Sequence, residues 1–197
     1  MDKDQELDYV KAQLDFFNKE NNTITRYFTD DVFGREFLAN LITSAQEFVR
    51  NALKESAVSQ RDLQRVFQFL QFFYKKKTES MKTVSREDRE EALAESVLLS
   101  IALVYYFRLD SGEEENNPRE SFAETINNQI LTLGGRKYEH LEFIGVLEDE
   151  MNLYVEELTL PGSIAENQSL KENLFSIIVC IENTIPLIIT GTTQLII

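Results

Sequence analysis

Val97-Leu98-Leu99-Ser100-Ile101-Ala102-Leu103-Val104-Tyr105-Tyr106-Phe107 is the longest apolar stretch of the chain, and its reading decides the fold. It is too short to span a bilayer, which takes about 20 residues. Being apolar nearly all round, it predicts a helix that other protein must surround. The residues just before it are charged, and Ser85 followed by Asp88 forms a capping box. In that arrangement a serine oxygen takes a free N–H of the first turn while the carboxylate bonds back. A long helix is therefore predicted from Ser85 to about Leu109.

Toward the N-terminus, Ser59 with Asp62 repeats the capping pattern and opens a helix whose face carries Leu63, Val66, Phe67, Leu70 and Phe73. Phe69 and Phe72 lie off that face, so this helix is expected to be contacted on more than one side. Lys75-Lys76-Lys77 closes it, positive charge suiting a helix C-terminus. Phe37 to Leu53 forms a wide apolar stripe, with Gly34 as the boundary before it. Leu7, Val10, Leu14 and Phe17 mark a helix over about residues 4 to 18.

Toward the C-terminus, Asp110 to Asn117 reads as an exposed acidic loop, and Pro118 suits the first turn of a helix carrying Phe122, Ile126, Ile130 and Leu133. Gly134-Gly135 is the best internal boundary. A helix over about 138 to 154, a turn around Pro161-Gly162 and a helix over about Leu170 to Asn183 follow. The apolar run Ile185 to Thr190 then reads as a strand ending in Gly191. No internal repeat or low-complexity tract interrupts this order.

Composition fits a mainly α protein: 43% hydrophobic and 27% charged residues can build a core, and seven Gly with three Pro are few for an all-β chain. The net charge of −14 argues against nucleic acid and anionic membranes as partners. The start, Met1-Asp2-Lys3-Asp4-Gln5-Glu6, lacks the apolar core of a signal peptide. Cys180 is the single cysteine, cannot form an internal disulfide and reads as a small buried hydrophobe. The expected setting is reducing and cytoplasmic.

Few residues point to chemistry. One His and one Cys far apart make no zinc site, and His140 is expected on a helix surface without a nucleophile partner. Glu148, Asp149, Glu150, Glu156 and Glu157 lack the glycine and alternating oxygen ligands of a calcium loop and read as a solvated helix face. No metal ligand and no catalytic residue is assigned. The aromatic side chains fall at helical core positions without interleaved basic residues, so they read as packing. A strand running into a glycine is also how a phosphate-binding loop begins, but that loop needs a further glycine and a lysine. Thr192-Thr193-Gln194-Leu195-Ile196-Ile197 supplies neither. Gly191 offers at most a first turn.

Two motifs carry a resemblance. Val58-Ser59-Gln60-Arg61-Asp62-Leu63-Gln64-Arg65-Val66 resembles the start of a lid helix in dynein-like and midasin-like AAA+ modules. Glu172 to Ile181 followed by Glu182-Asn183-Thr184-Ile185-Pro186-Leu187-Ile188-Ile189-Thr190-Gly191 is similar to the helix and first strand before the phosphate loop in mysterin-type giant RING ubiquitin ligases. The resemblance implies a helical AAA+ lid subdomain over 34–133, preceded by a module tail over 1–33. The first helices and first β-strand of a following α/β AAA+ module would occupy 136–197.

It further implies that Arg61 is a sensor arginine facing the terminal phosphates of a nucleotide, with Arg65 one turn on assisting and Gly191 starting an incomplete phosphate loop. On the residues alone, Arg61 reads equally as a solvated cation paired with Asp62, and Arg65 as a structural partner of a carboxylate. The chain looks like a piece of a larger ATPase and ubiquitin ligase, contacting neighbouring AAA+ modules. ATP and magnesium would belong to the intact parent and no cofactor to this chain alone. The alternative is an independent all-helical interaction or scaffold protein.

Overall fold

A computed structural model describes residues 3–20, 32–79, 85–110, 117–134, 138–158 and 167–189. Seven α-helices are described: α1 (Lys3–Glu20), α2 (Val32–Ala52), α3 (Gln60–Glu79), α4 (Arg86–Val104), α5 (Pro118–Gly134), α6 (Phe143–Glu156) and α7 (Gln168–Glu182). Single-turn 3-10 helices lie at Glu55–Ala57 and Tyr106–Arg108. The chain divides into two compact units, 1–147 and 148–197, at a point within α6.

In the first unit α4 forms the centre, as its sequence demands. Ala92, Val97, Leu98, Leu99, Ile101 and Ala102 are buried, and so are Ser96 and Ser100. Both hydroxyls donate to carbonyls one turn back, on Ala92 and Ser96, so their burial leaves no unmet polar group. α3 packs along α4, while α2 packs against α5 and α1. Phe69 is buried beside Leu63, Val66, Phe67, Leu70 and Phe73, so α3 is indeed covered on more than one side. Val10 and Leu14 bury α1's face, and Phe17 stacks on Phe67 with centroids 5.2 Å apart. Phe122 of α5 meets Phe48 edge-on at 5.3 Å and also contacts Tyr106 and Phe143.

The capping box at α4 is complete: the Asp88 N–H donates to Ser85 Oγ (3.0 Å) and the Ser85 N–H to Asp88 Oδ2 (2.9 Å). Hydrogen bonding to the carboxylate from Ser85, its backbone N–H first and then its side chain, holds the Asp88 carboxyl below its ordinary range. α4 ends at Val104, short of the predicted Leu109. The last turn tightens instead, with the Arg108 N–H donating to the Tyr105 carbonyl and the Leu109 N–H to the Tyr106 carbonyl.

Gly34 does not bound α2 but lies inside its first turn. The packing of the Phe37–Val49 stripe outweighs the helix penalty of one glycine. No heavy atom stands within 4 Å of where a Cβ on Gly34 would lie. Gly34→Ala is therefore expected to raise the unfolding free energy by about 0.5–1 kcal/mol, read as a higher urea midpoint with unchanged slope. Gly134 is the opposite case, since a Cβ there would come 2.4 Å from Tyr138 Cδ2.

α6 starts later than its spacing predicts because its cap comes partly from another helix. The Phe143 N–H donates to Asn127 Oδ1 of α5 (2.9 Å), and the Gly145 N–H to Glu142 Oε2 (2.6 Å).

The second unit pairs the end of α6 with α7. Tyr154 meets Phe175 edge-on at 5.2 Å, and Lys171 Nζ donates to Asn152 Oδ1 at 2.8 Å. Asn167 caps α7 by accepting from the Leu170 N–H. Among the described residues there is no strand, so the predicted strand over Ile185–Thr190 is not shown. A strand is defined by its ladder, and these helices offer Ile185–Ile189 no partner strand. Thr190 and Gly191 lie outside the described residues. No described helix is long and apolar enough to cross a membrane.

Candidate functional site

The first turn of α3 gathers the residues singled out in the sequence. Ser59 precedes the helix, and the Asp62 carboxylate reaches back as the pattern predicts: Oδ2 accepts from the Ser59 N–H at 2.8 Å. The hydroxyl departs from the pattern, donating to the same oxygen at 2.9 Å where a cap would accept a backbone N–H. Asp62 is thereby buried at the head of the helix, its side chain 10% exposed.

Two guanidinium groups answer its charge. Arg65 Nη1 lies 3.6 Å from Oδ1, one turn along the same helix, which is the structural pairing expected for it. Arg108 Nη1 lies 3.6 Å from Oδ2, and Arg108 Nη2 donates to the Ala57 carbonyl. No signal in the sequence announced Arg108, which sits 46 positions from Asp62 on the 3-10 turn after α4.

Arg61 is exposed, and among the described residues no carboxylate pairs with it. The local pairing with Asp62 considered for it is thus taken by Arg65 and Arg108. Exposed guanidinium, helix N-terminus and a neutralised carboxylate lie side by side there, an arrangement able to meet a phosphate from outside. It is one contact and not a pocket. Arg65 is paired with Asp62, so of these two arginines a phosphate meeting this turn would find only Arg61 exposed there.

Beneath this turn Tyr105 is fully buried, and its hydroxyl accepts from Gln46 Nε2 at 2.8 Å. Burial pushes its pKa far above the usual 10.0, and the Asp62 charge adds to the rise while the Gln46 bond opposes it. Below pH 10 both folded and unfolded states keep this proton, so the stabilisation is complete there. Above it the unfolded state releases the proton and the folded state does not, so stability falls. Tyr105→Phe is expected to cost about 1–2 kcal/mol at neutral pH, because the buried Gln46 amide loses its acceptor. The same change should flatten the alkaline decline, as followed by thermal melts between pH 8 and 11.

Of the remaining candidates, Glu148, Asp149, Glu156 and Glu157 are exposed, but Glu150 is buried. The α6 period turns it inward, where burial first and then the charges of Glu182, Glu150 and Glu157 raise the Tyr154 pKa. No group of three His, Cys, Asp or Glu among the described residues is placed to hold a metal ion. His140 is exposed in the turn before α6, not on a helix, and its Nε2 lies 3.1 Å from Glu91 Oε1. Cys180 is buried and forms no disulfide.

At the other end of the chain, α7 closes in a Schellman turn. The Thr184 N–H donates to the Ile181 carbonyl (3.1 Å) and the Ile185 N–H to the Cys180 carbonyl (2.8 Å). Thr184 occupies the left-handed position usually given to glycine, with φ 55°. Beyond it Leu187, Ile188 and Ile189 are exposed, Ile188 at 87%.

Comparison with known proteins finds similarity in this region. The family model described as the RNF213 AAA domain matches residues 163–193, which include α7 and its exit. The zebrafish E3 ubiquitin-protein ligase rnf213-beta is 25% identical over 157 residues, 78% of this chain. The human E3 ubiquitin-protein ligase RNF213 is 27% identical over 176 residues, 82% of this chain. The similarity to RNF213-like AAA+ proteins therefore runs over most of the chain, in agreement with the mysterin-type resemblance of Glu172–Gly191. The chain spans about 3% of the length of each of these relatives. No solved structure matches it.

Proposed function

We propose that these residues act as a helical, non-catalytic segment of an RNF213-like AAA+ ubiquitin ligase. The first unit serves as a lid that offers Arg61 to the nucleotide of a neighbouring module. α7 and the apolar residues after it lead into the next module. The observation that carries the reading is the state of Arg61: it stands exposed in the first turn of α3 while Arg65 and Arg108 are drawn to Asp62. A phosphate there would gain a charge-assisted bond and the favourable end of the helix dipole.

Two measurements test this. In the intact ATPase, Arg61→Ala is expected to lower ATP turnover or affinity at least tenfold, and unchanged values would end the reading. A fluorescent ATP analogue titrated into the 197-residue chain should show no saturable micromolar binding, because one guanidinium cannot hold a triphosphate. Saturation in that range would contradict the proposal. An independent scaffold remains the second reading, favoured by the exposed Ile181, Leu187, Ile188 and Ile189. On that reading Arg61→Ala is silent.

A further inference from the structure

We propose that Arg108 is the positioning residue for Arg61, acting through Asp62 and the Ala57 carbonyl. The inference rests on the reading of Arg61 as the phosphate-facing group.

Asp62 directly follows Arg61, so whatever fixes Asp62 fixes the backbone that carries the exposed guanidinium. Its partners divide into two kinds. Ser59 and Arg65 each lie three residues from Asp62 along the same stretch of chain and travel with it. Arg108 comes from elsewhere in the fold, and it grips both the carboxylate and the carbonyl of Ala57, on the approach to α3. A planar guanidinium can hold two acceptors in fixed geometry, which a lysine cannot.

Arg108 is itself anchored. Its N–H donates to the carbonyl of Tyr105 (3.3 Å), and the buried Tyr105 hydroxyl accepts from Gln46 of α2. An unbroken path thus runs from the centre of the first unit to the start of α3. The Arg108 side chain is 36% exposed, so its ion pair adds little to global stability. Position is a different matter, because a misplacement of about 1 Å in a reacting group can cost roughly 100-fold in rate.

The test has two arms. In the 197-residue chain, Arg108→Ala should raise hydrogen exchange at the Ser59 and Asp62 amides at least tenfold, leaving α2 and α5 amides and the melting temperature nearly unchanged. In the intact ATPase, Arg108→Ala should reduce turnover about tenfold and Arg61→Ala at least as much, while the double variant is no worse than Arg61→Ala alone. Arg108→Lys should restore less than half of the loss, since an ammonium on a flexible stem does not hold the two acceptors in one fixed geometry.

Multiplying losses in the double variant would overturn the proposal, and so would unchanged exchange at Ser59 and Asp62. Normal turnover in Arg108→Ala beside an impaired Arg61→Ala would overturn it while leaving the role of Arg61 intact. Normal turnover in Arg61→Ala would remove the underlying reading, and this inference with it.

Discussion

Replacing Phe122 by alanine is expected to lower the unfolding free energy by about 3–5 kcal/mol, the range for deleting a buried ring. Phe122 is fully buried in α5 and touches Phe48 of α2, Tyr106 of the 3-10 turn and Phe143 at the start of α6. These rings come from four separate segments, so no single backbone shift can close the void. Tyr106 is further held by the Arg119 guanidinium, 5.0 Å from its ring centroid, while Arg119 Nε donates to the Leu109 carbonyl. The loss should appear as a lower urea midpoint with unchanged slope. Phe122→Leu keeps most of the volume and should cost less than half as much. A loss below about 1 kcal/mol for the alanine variant would show that the ring cluster does not organise the unit.

The second large effect is expected at Arg50. Its guanidinium forks onto both carboxylate oxygens of Glu6, joining α2 to α1. The Glu6 side chain is 6% exposed and that of Arg50 21%. Breaking a fully buried pair from one side costs about 3–5 kcal/mol because a charge is left without its partner. Partial exposure of Arg50 reduces this, so Arg50→Ala is expected to cost about 2–4 kcal/mol. Replacing both groups, as in Glu6→Leu with Arg50→Met, should recover much of that loss, since apolar groups of similar size leave no charge to satisfy. A double-mutant cycle in urea measures the coupling. Strict additivity would mean that the fork contributes no interaction of its own.

Much of this architecture is legible in the sequence, and the reason is periodicity. The stripe from Phe37 to Val49, the all-round apolar half of α4 and the Ser85–Asp88 box each specify a helix from residues a few positions apart. What is not legible comes from farther away. The late start of α6 depends on Asn127 of a different helix, and the short α4 on a tightened turn below Tyr105. Gly34 reads as a boundary by local propensity but lies inside α2, because the packing that follows it outweighs that propensity.

The candidate site divides along the same line. The exposure of Arg61 and the Asp62–Ser59 bond follow from local spacing. Arg108 is a lone cation after an apolar run, and nothing within a few residues of it indicates what it grips. The predicted strand marks the other limit, since pairing requires a neighbour that the described helices do not contain.

Thr184 gives the exit of α7 a mechanical bias. A β-branched residue with φ 55° sits in a basin whose strain is of order 1–3 kcal/mol. Pro186 already confines Ile185 to extended geometry. Drawing Thr184 into line with it would release that strain and open the two bonds that close the helix. A force or a docking partner that straightens residues 184–189 thus recovers, from one torsion angle, part of the cost of opening those two bonds.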